Sequence, residues 1–320
     1  MIDPRLKSLA AVRDTGTVTA AAALLHVTPS TISQHLRGLA RVVGADLVEP
    51  VGRNVRLTPA AEVVLAHATA LNAEWERTLA DLAALRAAGR ARLRISAVAS
   101  AIVALVCPAV ARLPEVAVEI GEDAVRDRFR MLAESETDIV VTLDATPPDT
   151  ALATSADTAR TAAPADDGGA WEVRELLTEP LDVIVGPGHR LAGSERVGLS
   201  ALAAETWIGA GDLIDQQALF LRLCAQAGFT PHLRHDALDW GAIIALVEYG
   251  HGIALLPRTI RIAPDAGVRR LELGWPDSPT VPHRRLRAYI RAGSATHPTI
   301  AAGLEALTAE GRRLTDTGAR

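Results

Sequence analysis

The sequence predicts an α/β protein in three parts: a mostly helical N-terminal winged helix-turn-helix domain, a long linker helix and a C-terminal α/β domain of two lobes. Three observations lead to this prediction. Two short helical segments joined by a tight turn precede two β-capable runs, residues 60–88 contain neither Gly nor Pro, and from Arg92 onward apolar β runs alternate with helical segments. The 320 residues are enough for about two domains of ordinary size.

The composition is that of an ordinary folded protein, with 49% hydrophobic and 22% charged residues. Cys107 and Cys224 are too few for a disulfide framework, and neither lies in a CxxC zinc motif. Basic residues interrupt the apolar runs near the N-terminus, so we expect no signal peptide. The longest apolar stretch, residues 97–111, falls short of the ~20 residues that cross a bilayer. We therefore expect a cytoplasmic protein with no membrane segment, no metal site and no cofactor.

Charge is unevenly distributed along the chain. The whole sequence carries a net charge of −5, but residues 1–58 contain seven basic and four acidic side chains, a local net charge of +3 that leaves −8 for the remainder. A basic N-terminal part joined to an acidic remainder predicts that any contact with a polyanion is made by the first part. On charge alone, chance variation in a short segment explains the difference equally well.

The N-terminal residues predict three helices. Apolar spacing places them over residues 4–13, over residues 20–25 and from Thr28 to about Val43, with a tight turn between the last two. Thr28 is followed by Pro29, which combines a side-chain cap with proline at the first helical position. The third helix is therefore expected to begin there.

This third helix has one apolar and one polar face. Ile32, Leu36 and Leu39 recur at spacings of four and three residues and form a stripe that is expected to be buried. The opposite face carries short or forked polar groups near the helix start, where a recognition helix enters the major groove of DNA. A solvated face, which is the alternative, usually carries Glu and Lys, and both are absent here. The candidate DNA-contacting residues of the helix are Thr28, Pro29, Ser30, Thr31, Ser33, Gln34 and Arg37.

Residues 47–57 predict a β-hairpin wing, because two short β-capable runs flank a Gly-Arg-Asn turn. Arg53 near the tip and Arg56 beyond it are placed to contact phosphates, which would set the register of the protein on DNA without selecting a sequence. The alternative is that both are exposed arginines with no role.

A long linker helix is predicted between Pro59 and Gly89. Over this length a helix reaches roughly 45 Å at 1.5 Å per residue. Its apolar stripe favours pairing with a second copy of the chain, and docking of the helix on its own domain is the alternative. The stripe consists of Val64, Leu71, Trp75, Leu79 and Leu82. The three parts of the protein are then residues 1–58, 59–89 and 90–320.

The C-terminal part begins with a βαβαβ pattern, which predicts a parallel sheet with right-handed crossovers. Its strands are expected at residues 93–98, 116–120 and 138–143, and its helices at 101–112 and 124–133.

Residues 145–170, rich in Ala, Thr, Pro, Asp and Gly, predict a low-complexity insertion. A second α/β set follows, with strands at 181–185, 207–209 and 286–291 and helices at 199–204, 217–227, 240–249 and 298–314. Two lobes, one of about 90–175 plus 270–320 and one of about 176–269, would enclose a cleft where small ligands bind.

Several motifs together resemble the LysR-type transcriptional regulators. GTVTAAAALLHVTPSTISQHLRGL (16–39), LVEPVGR (47–53) and VRLT (55–58) are similar to the DNA-binding signature of that family. PLDVIV (180–185), AGFTP (227–231) and LVEYGHGIALLP (246–257) are similar to its effector domain. The sequence departs from the family pattern at Val18, where an aromatic residue is usual, at Ala40, where Glu is usual, and at Pro50, where Arg is usual.

The resemblance implies a sequence-specific DNA-binding regulator that is dimeric or tetrameric, with a small effector bound between two lobes like those of periplasmic binding proteins. It also makes RNA polymerase a candidate partner. By correspondence, the residues facing the effector are Ser100, Asp123, Thr142, Ile208, Gly209, Asp239 and Trp240. Each has a structural alternative, such as a helix cap for Ser100 and a core position for Trp240.

Other functions find less support in the sequence. No GxSxG, HExxH or P-loop motif is present, and His232 and His235 have no carboxylate or Cys motif around them, so we expect no enzyme. A solute-binding transport protein would need export. A redox switch through Cys107 and Cys224 is a further alternative, because some members of the resembled family sense oxidants by cysteine, although buried inert thiols are commoner.

Overall fold

The computed structural model describes residues 3–52, 54–85, 91–122, 128–143, 169–210, 214–274 and 282–318. The chain divides into two compact units. The first comprises the described residues up to Leu85 together with residues 169–172 and 291–298, and the second comprises the rest. None of the described helices is long and apolar enough to cross a membrane.

The first unit begins with the three predicted helices, α1 (Pro4–Thr15), α2 (Val18–Leu24) and α3 (Pro29–Val43). Each starts at a side-chain cap, because its first N–H groups have no partner within the helix. Asp3, Thr17 and Thr28 accept hydrogen bonds from the backbone N–H groups of Arg5, Ala20 and Thr31. Glycines in the left-handed conformation end α1 and α3, at Gly16 and Gly44.

The predicted wing is an antiparallel hairpin of β1 (Val48–Val51) and β2 (Asn54–Leu57). The backbone N–H of Val55 donates to the carbonyl of Gly16 at 3.1 Å, so the wing is attached to the end of α1. Beneath the wing and the helices lies one apolar core, to which each element contributes large side chains, among them Leu9, Val12, Ile32, Leu36, Leu39 and Leu47. Burial of these side chains holds the domain together.

The linker helix α4 (Pro59–Leu85) has 27 residues and is therefore about 40 Å long. Its first turns insert Ala61 and Leu65 into the N-terminal core. Further along, buried positions are occupied by alanines, namely Ala68, Ala73 and Ala80. The predicted end at Gly89 lies outside the described residues.

The second unit is built on one eight-stranded sheet. The strand order is β4-β3-β5-β12-β6-β11-β7, with β10 paired to β6, while β8 and β9 form a separate parallel pair. The strands are β3 (Arg92–Ala97), β4 (Ala117–Glu122), β5 (Ile139–Leu143), β6 (Trp171–Val185), β7 (Arg196–Gly198), β8 (Thr206–Gly209), β9 (His232–Asp236), β10 (Ala254–Pro257), β11 (Arg269–Gly274) and β12 (His283–Arg291).

The first half of this sheet follows the prediction and the second half differs from it. As expected, β3 pairs in parallel with both β4 and β5. In contrast, β6 starts ten residues before the predicted strand at 181–185, and β10 and β11 pair with it antiparallel. The strand β11 pairs with β7, and it is β12, which begins at His283, that pairs with β5. The chain therefore rejoins the first lobe somewhat later than the expected limit of about residue 270. The insertion expected at 145–170 lies almost entirely outside the described residues.

The helices of the second unit also differ in detail from the prediction. The helix expected at 101–112 is α5, in which a π turn (Ile102–Val106) separates Ala99–Ala101 from Cys107–Val110. Pro108, which has no N–H to donate to the carbonyl four residues earlier, accounts for this interruption. The helix expected at 199–204 is a single 3-10 turn. The remaining helices are α6 (Arg128–Ala133), α7 (Ile214–Gln226), α8 (Trp240–Glu248) and α9 (Pro298–Gly318).

Buried carboxylates on β6 connect the strands around it. Asp182, which is fully buried, accepts hydrogen bonds from Arg258 at 2.6 Å and from Arg270 at 3.0 Å. The hydrogen bond to Asp182 raises the pKa of the Arg258 guanidinium. Because a buried charge is costly unless it is paired, these contacts specify where β10, β11 and the segment between them lie against β6.

The substitution Asp182→Asn should destabilise the protein by about 3–5 kcal/mol, because it leaves two guanidinium groups facing a neutral side chain. Urea denaturation measures the free energy of unfolding. The control is Glu74→Gln, which removes the exposed ion pair to Arg77 and should cost less than about 1 kcal/mol. Equal stability losses for the two variants would contradict the structural role of Asp182.

Candidate nucleic-acid interface and effector site

The helix α3 presents its polar face to solvent. Ile32, Leu36 and Leu39 are buried in the N-terminal core. The opposite side exposes Thr28, Pro29, Ser30, Gln34 and Arg37, while Thr31 and Ser33 are half-buried. This distribution places the predicted polar residues on the surface that a major groove could accept.

The start of α3 is held by a pair of threonines. The Thr28 hydroxyl accepts a hydrogen bond from the backbone N–H of Thr31 at 3.2 Å and pairs with the Thr31 hydroxyl at 2.9 Å. Both hydroxyls thus take part in the N-terminal cap of α3. They remain close to any phosphate that approaches the helix start.

A further arginine lies on the polar face of α3 that the sequence analysis did not include. Arg37 Nε donates to the carbonyl of Ser33 at 3.1 Å, and Arg41 Nε lies 3.4 Å from the carbonyl of Arg37, one turn later. Both side chains are exposed. The spacing of four residues between the two arginines is the signal that could have identified Arg41.

A histidine on α3 is bonded to α1. His35 Nδ1 lies 2.8 Å from the hydroxyl of Ser8, and that hydroxyl lies 3.2 Å from the carbonyl of Pro4. Ser8 is buried between the two helices. Since this hydrogen bond joins the recognition helix to α1, His35 helps to set the orientation of α3. No motif in the sequence marked this residue.

The wing carries an arginine that is already paired. Arg56 lies opposite Glu49 in the hairpin register, and the two side chains form an ion pair at 2.7 Å while remaining 71% and 47% exposed. Glu49 therefore offsets the positive charge that Arg56 would present to DNA. Arg53 lies outside the described residues.

Two of the predicted effector residues lie at the same edge of the sheet. Ala97 at the end of β3 pairs with Val141 on β5, so Ser100 comes just after the carboxyl end of β3, and Thr142 lies near the carboxyl end of the parallel strand β5. Ligands commonly bind at such an edge. Arg128, which the sequence analysis did not include, is buried and donates to the Thr142 hydroxyl. Asp123 lies outside the described residues.

The predicted residues around β8 are mostly occupied by local structural contacts. Ile208 is buried in a core cluster, and the partly buried Trp240 packs against that cluster. Asp239 caps α8 by accepting a hydrogen bond from the backbone N–H of Ala242 at 2.9 Å. Gly209 lies close to the side chain of Gln217. A Cβ atom built on Gly209 would be 3.3 Å from Gln217 Oε1.

Three side chains that follow β8 in the chain carry buried polar atoms without hydrogen-bond partners. Gln216 Nε2, Gln217 Oε1 and Trp240 Nε1 are buried and find no partner among the described residues. Buried polar groups are normally satisfied, so such atoms are candidates for contact with a ligand. Gln216 also accepts a hydrogen bond from the buried Arg284, whose pKa is lowered by that burial.

The two cysteines have different surroundings. Cys224 is fully buried in a cluster with Trp207, Phe220 and Leu223, and burial raises the pKa of its thiol to about 12. Cys107 is exposed at the surface of α5. Since the thiolate is the reactive form, Cys224 is a structural residue.

The apolar stripe of α4 is largely exposed. Leu71, Trp75, Leu79 and Leu82 keep 40–64% of their surface accessible to solvent. Val64 differs, because it packs against the N-terminal core of its own chain. Four of the five predicted dimerisation residues thus lie on an uncovered apolar face.

The fold and these sites define a class of protein, in which a winged helix-turn-helix domain is joined through a long helix to an α/β effector-binding domain. The LysR substrate binding domain profile matches residues 86–312, and the profile of the bacterial regulatory helix-turn-helix protein, lysR family, matches residues 4–62. The chain belongs to the LysR family of DNA-binding transcriptional regulators.

Relatives in this family include regulators of different responses. A probable hydrogen peroxide-inducible genes activator of Mycobacterium avium is 29% identical over 297 residues, which are 90% of this chain and 88% of that protein. The transcriptional regulator MetR of Salmonella typhimurium is 27% identical over 80% of this chain and 74% of its own length.

Solved structures share the fold. A C206 mutant of OxyR from Corynebacterium glutamicum has a TM-score of 0.58 and 19% identity, covering 98% of this chain and 93% of that one. Full-length CbnR in complex with its target DNA has a TM-score of 0.53 and 18% identity, and the match covers 96% of this chain and 98% of CbnR.

We expect Glu49→Gln to strengthen binding to DNA of any sequence, since it frees the guanidinium of Arg56. The slope of log affinity against log salt should steepen by about one phosphate contact. Glu119→Gln, which frees Arg92 in the second unit, is the charge-matched control and should leave affinity unchanged. An unchanged salt slope for Glu49→Gln would mean that Arg56 does not reach a phosphate.

Cys224 should resist alkylation by N-ethylmaleimide at neutral pH in the folded protein and react only after unfolding, because its thiol remains protonated until about pH 12. Cys107 should react readily and serves as the internal control. Mass spectrometry of the labelled peptides distinguishes the two. Labelling of both at similar rates would contradict the assignment of Cys224 as a structural thiol.

Proposed function

We propose that two copies of this regulator bind an interrupted palindrome, each inserting α3 into the major groove of one half-site. The exposed polar face of α3 is the observation that carries this proposal. In this arrangement the half-sites lie ~34 Å or a multiple of that distance apart. Gln34 and Arg37 contact base edges, since their side chains suit adenine and guanine respectively.

The other DNA-binding residues position the protein. Thr28, Ser30, Thr31 and Ser33 contact phosphates or bases around the start of α3, where Pro29 fixes the backbone, and Arg41 extends the cationic face by one turn. Arg53 and Arg56 on the wing contact phosphates. The ion pair between Arg56 and Glu49 weakens the phosphate contact of Arg56. Affinity therefore depends on α3 more than on the wing.

Association of the two copies occurs through α4. The exposed side chains of Leu71, Trp75, Leu79 and Leu82 support this assignment, because an uncovered apolar stripe on a long helix is costly in water. Val64 has a different role, as part of the N-terminal core. Assembly of two such dimers into a tetramer is a further part of the proposal, as is contact with RNA polymerase in the cytoplasm.

A small effector binds between the two lobes of the α/β domain. The position of Ser100 and Thr142 at one strand edge supports this site, and so do the unpartnered atoms of Gln216 and Gln217. The predicted set of Ser100, Asp123, Thr142, Ile208, Gly209, Asp239 and Trp240 is then extended by these two glutamines. The bound effector changes the arrangement of the DNA-binding domains and needs no catalytic step.

An effector held by noncovalent contacts is favoured over a redox switch through Cys107 and Cys224. One relative is a probable peroxide-inducible activator, but in this chain Cys224 is buried and its pKa of about 12 keeps it protonated. A disulfide between Cys107 and Cys224 would need Cys224 to react as a thiolate. Recognition therefore depends on hydrogen bonds and apolar contacts.

Arg37→Ala should relax sequence selectivity, lowering affinity for the operator by roughly 10- to 100-fold while leaving affinity for random DNA nearly unchanged. Mobility shifts at a stated salt concentration, with DNA from the upstream intergenic region and with random competitor, measure both. Arg196→Ala, an exposed arginine paired with Glu272 far from α3 in sequence, is the control. Equal losses on both DNAs would assign Arg37 to phosphate contact instead.

A further inference from the structure

The linker helix α4 has a second face that its own chain covers. The apolar stripe of Leu71, Trp75, Leu79 and Leu82 is exposed, but Ala73 and Ala80 are buried and Glu76 is nearly so. These three positions recur at spacings of three and four residues and therefore lie on one side of the helix. The segment that covers this side is the turn at residues 291–298, which belongs to the same compact unit.

An ion pair lies between the helix and this turn. Arg291 Nε is 3.1 Å from Glu76 Oε2, and the two side chains are only 8% and 11% exposed. Since both charges are largely removed from water, removal of the charge of Glu76 should weaken the contact between α4 and the turn. An exposed pair on the same helix, Glu74 with Arg77, should contribute little by comparison.

A glycine brings the turn into backbone contact with the helix. Gly293 has φ +85, and a Cβ atom built there would lie 2.1 Å from the carbonyl oxygen of Ala73. Its N–H donates to Glu172 Oε1 at 2.6 Å. Any side chain at this position would therefore push the turn away from α4.

The strand β12, which leads into the turn, also contains an arginine that is hydrogen-bonded within the effector domain. Arg291 is the last residue of β12, and Arg284 near its start is bonded to Glu179 and Gln216. Gln216 is one of the residues with an unpartnered buried atom. Arg284 and Arg291 are thus residues of the same strand, β12.

We propose that Ala73, Glu76, Arg291 and Gly293 form a linker clamp that holds α4 in one orientation and thereby sets the half-site spacing that the dimer accepts. The clamp covers the small-residue face of α4 and leaves the apolar stripe to the second copy. The four residues are positioning residues, which act on DNA through the placement of the two α3 helices. The proposal rests on the proposed binding of a dimer to two half-sites.

The test compares binding to duplexes in which the separation of two half-sites is varied one base pair at a time over one helical turn. The full-length protein should prefer one separation by about tenfold or more. Glu76→Gln, which removes the charge, and Gly293→Ala, which displaces the turn, should each reduce that preference to about threefold or less. Affinity for a duplex with one half-site should stay within about twofold of the original.

Two controls separate positioning from general damage. Gly250→Ala introduces a side chain at a similar φ of +78 but meets no atom within 4 Å, so it should keep the spacing preference. Glu76→Asp retains the negative charge and should keep most of the spacing preference. If Glu76→Gln fails to fold by circular dichroism, Gly293→Ala decides the question.

The proposal is overturned if folded Glu76→Gln and Gly293→Ala proteins keep the original spacing preference, since the contact is then structural only. It is equally overturned if both variants lose affinity for one half-site and for two half-sites to the same extent. Failure of the unaltered protein to bind any half-site pair more tightly than one half-site contradicts dimeric binding, and so contradicts the proposed function itself.

Discussion

The second unit depends on the neutralisation of two buried carboxylates on β6. Glu179 and Asp182 lie three residues apart on this strand, where Arg284 pairs with the first and Arg258 and Arg270 pair with the second. A carboxylate in such surroundings is tolerated only with its partners in place. The strands that pair with β6, and the segment after β10, are therefore held to one arrangement. In the sheet, β6 lies between β12, which is next to β5, and β11, which is next to β7.

The candidate DNA-binding surface exposes most of its polar and cationic side chains, among the described residues, on one helix. Pro50 stands on the wing, and the nearby Arg56 is paired with Glu49, so the hairpin presents little free positive charge among the described residues. In α3, by contrast, Gln34, Arg37 and Arg41 are exposed. A protein with few phosphate contacts depends less on salt and more on base contacts for its affinity. Selectivity in this regulator should follow from the polar face of α3.

The linker helix α4 follows the DNA-binding domain in the chain and has two different faces. One of its faces is apolar and uncovered, and the other bears Ala73 and Glu76 against the turn that follows β12. Contact with its own chain on this side restricts the rotation of α4 about its axis, and the proposed pairing with a second copy would restrict it further. In the proposed dimer, the orientation of α4 is set by both contacts.

Local sequence was sufficient for the N-terminal elements. The limits of α1 to α3, the hairpin and the start of α4 follow from caps, glycines and apolar spacing within a few residues, and each was predicted closely. The exposed face of α3 followed from the same periodicity. The predicted effector residues were harder to place, because Asp239 and Ile208 turned out to have contacts within the fold itself.

The sequence by itself determined the order of domains, the winged helix-turn-helix and the parallel arrangement of β3, β4 and β5, since these depend on neighbouring residues or on short crossovers. Only the tertiary structure decided the full length of β6, the position of β11, the burial of Arg128 and the pairing of Glu76 with Arg291. Glu76 and Arg291 are more than two hundred residues apart. Contacts of that kind leave no periodic signal in the sequence, because they arise from how distant segments pack.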